Sequence, residues 1–340
     1  MALPIIKYCP GTLTPTEGSY SRTALKRLFD GRKVNHVLPY EPPQLSEEAA
    51  AVFIENRKRI SISGVQEKLS LILDKNRLRL TEDGEQGTHL LKPIPRDLKK
   101  VQQVPANEHL TMQIADQVYG IPTAENGLIF FQNGDPAYLT RRFDVHPDGG
   151  KWRVEDFASL AGKTSANAGD NFKYNYSYEE LGKLLQQYVP AYRIEVEKYF
   201  KLVLFNYLFS NGDAHLKNFS LIETTSGDFI LSPAYDLINT HIHVDDSVFA
   251  LSKGLFEDDF KSEDYNKSNY PSQQDFTEFA NRLGIGAKRI PKLLQPFIEK
   301  QALVETLIER SYLDEDVKRG YWLAYLTRRN LLVGNVFIGN

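Results

Sequence analysis

Cysteine is almost missing: Cys9 stands alone among 340 residues, so no internal disulfide can form and a disulfide-stapled scaffold is excluded. Its neighbours Pro10 and Gly11 complete no redox or metal motif. A charge excess is lacking too. With 41 basic against 44 acidic side chains and a formal net of -3, nothing pulls the whole chain toward nucleic acid or anionic lipid. Short basic clusters such as Arg57-Lys58-Arg59 and Lys99-Lys100 read as solvated faces. No uninterrupted apolar run approaches the roughly 20 residues that span a membrane, and the N-terminal Met-Ala-Leu-Pro-Ile-Ile-Lys is too short in apolar residues for a secretory signal. No internal repeat or heptad array is present. The expectation is a soluble, cytoplasmic protein without a membrane partner.

What is there begins with core-forming material: 41% hydrophobic and 11% aromatic residues fill one large domain or two lobes. Chemistry concentrates in Asn-Gly-Asp-Ala-His-Leu-Lys-Asn at 211–218, a polar loop delivered by the apolar, helix-like run 199–209. Asp213 and Asn218 are five apart, the spacing phosphoryl-transfer enzymes use between a carboxylate facing the acceptor hydroxyl and an amide oxygen holding magnesium. Residues 219–223 alternate as a strand, 224–228 read as a turn, and 229–231 return before Ser-Pro-Ala-Tyr-Asp at 232–236. That hairpin folds Asp236 back beside Asn218, giving two hard oxygen ligands for Mg2+. The bland alternative is a surface loop whose Asp and Asn only make turns.

Upstream, the chain supplies candidate partners for this loop. One helix is expected after Ser19 or Ser21 and a second from Ser46. A turn of small residues at 61–64 precedes strand-like 69–73, followed by a turn and a returning strand at 78–80. Such a strand-turn-strand lays backbone N-H groups over a nucleotide's phosphates; an ordinary hairpin is the competing reading. Lys92 ends a strand at 88–92, and a helix with Asn107 as N-cap runs through 118, carrying Glu108. Kinases pair the phosphate-touching lysine with a helix glutamate, and the order of these elements permits it. A hairpin around Asn133-Gly134 leads into Arg141-Arg142-Phe143-Asp144, a natural link between lobes where backbone groups meet an adenine edge. Residues 154–161 read as helical, 162–178 as a long polar and aromatic loop, and the chain beyond as mostly helical. Residues 256–274 read as loop. His241 and His243, at alternate strand positions, face one side without a matching ligand cluster, which makes zinc a minor reading. The aromatic spacing at 321–330 reads as core packing.

Taken together, these residues resemble the HipA-like serine/threonine kinases of bacterial toxin-antitoxin systems. The matching pieces are Ser-Ile-Ser-Gly-Val-Gln-Glu-Lys-Leu-Ser-Leu-Ile-Leu at 61–73, Leu-Leu-Lys-Pro at 90–93, Asn-Glu-His at 107–109, Arg-Arg-Phe-Asp at 141–144, Glu-Asp-Phe at 155–157, the 211–218 loop and Ser-Pro-Ala-Tyr-Asp at 232–236. Few residues precede Ser61, so the chain is more similar to the short HipT type of three-gene systems.

The resemblance implies an α+β, two-lobed protein-kinase-like fold, with a smaller mixed N-lobe at 1–140 and a larger, mainly helical C-lobe at 141–340. It implies ATP and Mg2+ as cofactors and a protein substrate, an aminoacyl-tRNA synthetase. The implied partners are a HipS-like small antitoxin and a HipB-like DNA-binding protein, with DNA reached only through the latter. By position, Asp213 is the catalytic aspartate, with His215 and Lys217 stabilising charge on the transferred group. Asn218 and Asp236 are the metal ligands. Ser63, Gly64, Val65, Gln66, Lys68, Lys92, Glu108, Arg141 and Phe143 surround the nucleotide, and Ser61 and Ser63 are autophosphorylation sites. Asp236-Leu237-Ile238 stands where ordinary protein kinases have Asp-Phe-Gly. Two competing functions stay open, a small-molecule kinase and a catalytically silent kinase-like binding module.

Overall fold

The computed structural model describes residues 3–42, 67–96, 98–146 and 148–334. Its first sheet has five antiparallel strands, β1 (Leu69–Asp74), β2 (Arg77–Leu80), β3 (His89–Lys92), β4 (Asn126–Phe130) and β5 (Pro136–Arg141), in the order β2-β1-β3-β5-β4. Alternation decides which face each side chain serves. Leu91, Ile129, Ala137 and Leu139 join Cys9, Leu28 and Phe29 in one apolar cluster under helix α1 (Arg22–Phe29). Leu128, Phe130 and Tyr138 face the opposite way, into the larger core with helix α2 (Val104–Gln117). Lys92 sits opposite Tyr138 in the β3/β5 register and therefore emerges on the α2 face, its ammonium 5.2 Å from the Tyr138 ring centre.

Ser21 caps α1, its hydroxyl accepting the Ala24 N-H, as the sequence led one to expect. Helix α2 departs from expectation. It starts at Val104 with Pro105 in the first turn, a position that tolerates the missing N-H, so Asn107 lies inside the helix and its amide is free for long-range work. The stretch expected to be helical at 154–161 divides into strand β6 (Val154–Asp156) and the one-turn helix α3 (Phe157–Leu160). Asp156 caps that turn through the Ser159 N-H, and β6 completes a second sheet with β7 (Ser220–Glu223) and β8 (Phe229–Leu231) in the order β6-β7-β8.

The remainder is helical: α4 (Ser165–Ala168), α5 (Tyr178–Tyr188), α6 (Tyr192–Leu208), α7 (Glu263–Ser268), α8 (Gln273–Arg282), α9 (Ile290–Ile298), α10 (Ala302–Arg310) and α11 (Glu315–Val333). Helix α7 occupies part of the expected 256–274 loop, opened by the Ser262 hydroxyl. From Leu202 to Leu208 helix α6 is buried on every side, and it forms the axis of the large core. Phe205 and Phe209 stack there at 4.5 Å, and Phe209 also stacks on Tyr325 of α11. The aromatic spacing near the C-terminal end thus serves packing. Among the described residues no helix is long and apolar enough to cross a membrane.

Candidate active site

Helix α6 ends at Leu208, and the chain then turns through Ser210, whose φ of 53° is left-handed. The loop that follows is pinned at several points. Asn211 donates to Asn206 Oδ1 at 2.9 Å and to the Asp236 carbonyl at 3.5 Å, and its own Oδ1 accepts the Asp213 N-H at 3.3 Å. Asn218 Oδ1 accepts the His215 N-H at 3.2 Å, rounding off a short 3-10 turn at Leu216–Asn218. Tyr235 steadies that turn from outside: its hydroxyl shares a hydrogen bond with Ser220 Oγ at 2.5 Å and donates to the Lys217 carbonyl at 2.9 Å.

The β7–β8 hairpin returns the chain to Asp236, itself at φ 56°. Here three elements converge. Lys92 Nζ lies 2.5 Å from Asp236 Oδ1 and 2.6 Å from Glu108 Oε1 of α2. Asn218 Nδ2 is 3.4 Å from Asp236 Oδ2, and Lys68 Nζ is 3.9 Å from the same oxygen. Burial opposes the charge on Lys92, but Asp236 and then Glu108 hold its pKa above the ordinary lysine value.

A cavity of about 710 Å³ opens over this cluster, with Lys68, Lys92, His215, Lys217, Asn218 and Asp236 on its wall. Arg141, Arg142 and Phe143 form its far side. The Arg141 guanidinium is turned away, donating to Asp30 Oδ1 at 2.6 Å and to the Arg27 carbonyl at 3.1 Å, so this residue presents backbone to the cavity. The ring of Phe143 faces Tyr235 with centroids 5.9 Å apart.

Asp213 is not among the residues that line the cavity; its Oδ1 lies 3.9 Å from Nε2 of His215, which does. Burial drives the His215 ring's pKa down to about 3, with the charge of Lys173 adding to the effect. Burial thus favours the neutral imidazole, and the ammonium groups that line the cavity with it belong to Lys217 and Lys173. Lys217 is half exposed, with Asp156 at 3.9 Å.

Tyr174 was not singled out by sequence. Its hydroxyl donates to Asp213 Oδ1 at 3.1 Å, and its ring stands edge-on to His215. Only the length and aromatic content of the 162–178 loop signalled it. Ser61, Ser63, Gly64, Val65 and Gln66 lie outside the described residues, as does the helix expected from Ser46.

Two protein oxygens, one carboxylate and one amide, suit a hard cation whose remaining ligands come from phosphate and water. Asp236 and Asn218 provide that donor set: Asn218 Nδ2 faces the carboxylate while its Oδ1 accepts the His215 N-H, so the amide oxygen would exchange that bond for the cation. Zinc chemistry has no support. Among the described residues no group of three His, Cys, Asp or Glu side chains is arranged for a metal, and His241 lies in a 3-10 turn that His243 caps, not on a strand. His243 Nε2 is 2.9 Å from Asn107 Nδ2, whereas His241 Nε2 is 3.1 Å from Asp246 Oδ1.

Known proteins resemble this chain over most of its length. Residues 60–305 match the HipA-like C-terminal domain. A Haemophilus influenzae protein named "Putative kinase" is 27% identical over 315 residues, covering 87% of each chain. The serine/threonine-protein kinase toxin HipA of Shewanella oneidensis is 25% identical over 279 residues, 77% of this chain and 60% of that protein. HipA of Shewanella oneidensis MR-1, solved in complex with HipB and its operator DNA, superimposes with a TM-score of 0.63 at 22% identity, covering 88% of this chain and 74% of that one. The chain, with its two-lobed kinase-like fold, therefore belongs to the HipA-like family of kinases.

Proposed function

We propose that this chain is an ATP-dependent serine/threonine protein kinase, the toxin of a toxin-antitoxin system of the short HipT type, using ATP and Mg2+. The observation that carries this reading is the Lys92–Glu108–Asp236 triad beside Asn218, with Lys92, Asp236 and Asn218 on the wall of one cavity and Glu108 behind Lys92. A lysine held by a helix glutamate, next to a carboxylate and an amide, is the arrangement by which protein kinases transfer phosphate from a nucleotide.

In this reading residues 1–140 form the N-lobe and 141–340 the C-lobe. The adenine edge meets the backbone of Phe143, whose N-H and C=O take no hydrogen bond among the described residues. Lys68 and Lys92 face the nucleotide phosphates. Asp236 and Asn218 would hold Mg2+, which would supply neutralisation of phosphate charge. Asp213 orients the acceptor hydroxyl and takes its proton, with Tyr174 fixing the carboxylate, while Lys217 and the neutral His215 ring line the transfer path. The acceptor is a serine or threonine of an aminoacyl-tRNA synthetase, and its phosphorylation inhibits translation. Ser61 and Ser63 are the sites of autophosphorylation. A HipB-like DNA-binding protein and a HipS-like small antitoxin are the partners, the former by analogy with the relative solved together with HipB. The setting is the cytoplasm.

Asp213→Asn tests this reading. Radiolabelled ATP should mark protein in a cell lysate with the natural chain, and labelling should fall by roughly 100-fold or more with the variant. Undiminished labelling would remove Asp213 from the mechanism. Label on metabolites alone would favour a small-molecule kinase, and absence of Mg2+-dependent ATP binding would favour a silent binding module.

A further inference from the structure

Thr240 is completely buried and lies four residues beyond Asp236, outside the cavity. A threonine hydroxyl has one proton to give and lone pairs to receive, and here both are used on the catalytic loop. Thr240 Oγ1 donates to the Ser210 carbonyl at 2.9 Å and accepts the Gly212 N-H at 2.8 Å. The Thr240 N-H adds a second bond to the Ser210 carbonyl at 3.0 Å. Its neighbour Asn239 is fastened to α2: the Asn107 amide donates to the Asn239 carbonyl at 2.9 Å and accepts the Asn239 N-H at 3.2 Å. A continuous line of bonds thus runs from the residue preceding Glu108, through Asn239 and Thr240, to the residue preceding Asp213.

We infer that Thr240 is a positioning residue for phosphoryl transfer: its hydroxyl fixes the loop carrying Asp213 against the segment carrying Asp236, and so sets how the proton acceptor stands relative to the nucleotide side of the site. Ser210 and Asp236, both in the left-handed region at φ 53° and 56°, flank this junction. Non-glycine residues persist there only where surrounding structure holds them, and the paired bonds from Thr240 to the Ser210 carbonyl supply that hold at one of the two. Thr240 touches no reacting atom, so its effect falls on the chemical step rather than on nucleotide affinity.

The inference rests on the kinase reading of the site, and the experiment separates the two. ATP affinity by calorimetry and steady-state kcat are measured for the natural chain, Thr240→Val and Thr240→Ser. The valine variant, equal in size but without the hydroxyl, should lose about tenfold or more in kcat with ATP affinity within about twofold, and serine should restore kcat to within about threefold. An unchanged kcat in the valine variant, or a serine variant as impaired as valine, would overturn the assignment. Amide hydrogen exchange on the unaltered chain reads the same clamp without a variant. The Gly212 N-H should be strongly protected, and exchange at the rate of an open turn would equally overturn it. If Thr240→Val does not fold, the exchange result and the serine variant decide. If the natural chain transfers no phosphate, the kinase reading fails while the exchange measurement still judges the clamp.

Discussion

Lys92 and Asp236, 144 residues apart in the chain, meet with Nζ 2.5 Å from Oδ1, and the same ammonium reaches Glu108 at 2.6 Å. One cation therefore serves two carboxylates in a site where Lys92 and Glu108 are almost wholly shielded from water. Loss of the cation and loss of one carboxylate should not be equivalent. Lys92→Met strands two buried acids and is expected to cost about 3–5 kcal/mol. Glu108→Gln keeps the Lys92–Asp236 pair and should cost only about 1–2 kcal/mol. Urea unfolding of both variants checks this, and equal losses would contradict a shared cation.

The same triad sets a pH dependence. Burial favours the neutral form of Asp236, but Lys92 and then Lys68 outweigh it and bring the carboxyl down to about 2. Glu108 goes the other way: burial pushes it up to about 7, against the pull of Lys92 and with the Asp236 charge adding. A lowered carboxylate stabilises the fold above its unfolded-chain pKa, and that contribution is lost as pH falls toward about 2. A raised one has the opposite sign. From 4.5, the ordinary value, to about 7 the folded chain keeps a proton on Glu108 that the unfolded chain has released, so stability declines as pH rises. Between about pH 5 and 7 the natural chain should therefore lose stability as pH rises, and Glu108→Gln should flatten that slope. Parallel slopes in urea titrations would exclude it.

These contacts were unevenly legible in the sequence. The five-residue spacing of Asp213 and Asn218 and the hairpin before Asp236 are local patterns, and the structure places Asn218 beside Asp236 as they implied. Lys92 and Glu108 were readable from the order of strand and helix, although the helix begins at Val104 and carries Glu108 one turn in. Asn107 was misread as a cap because its side chain spends its bonds 132 residues away, on Asn239, and Pro105 opens the helix earlier. Residues 154–161 looked helical because a three-residue strand is too short to show its own period; its pairing with β7 decides it. Tyr174 meets Asp213 from an aperiodic loop, where sequence marks only length and composition.

Asn107 offers a test of how α2 is fastened to the site. It is fully buried and satisfies both backbone groups of Asn239. It also donates to His243 Nε2 at 2.9 Å, which leaves His243 Nδ1-H for the Lys99 carbonyl at 2.9 Å. Burial lowers the pKa of that ring, consistent with the neutral tautomer these two bonds require. Asn107→Leu keeps the volume but leaves the Asn239 N-H and C=O without this partner, at about 1–3 kcal/mol for each group. Thermal unfolding measures the loss. A variant as stable as the natural chain would show that Asn239 finds other partners.

Gly212 is required for space rather than for backbone freedom, since it is not among the glycines with positive φ. A Cβ built there would lie 2.4 Å from Asp246 Oδ2 and 2.5 Å from the Ser247 carbonyl oxygen. A carboxylate can swing aside, but a backbone carbonyl cannot, so Gly212→Ala must push the loop bearing Asp213 away from residues 246–247. Overpacking of this kind costs about 1–3 kcal/mol, and a shift of about 1 Å beside the acceptor lowers kcat by up to roughly 100-fold. Gly286→Ala is the matched control: its Cβ would meet nothing within 4 Å, and its φ is not in the left-handed region. There the smaller entropy of the unfolded chain should leave stability unchanged or raise it by about 0.4–1 kcal/mol. Paired urea titrations and kcat measurements on the two variants distinguish a steric demand at the catalytic loop from a general intolerance of alanine for glycine; equal behaviour would refute the demand.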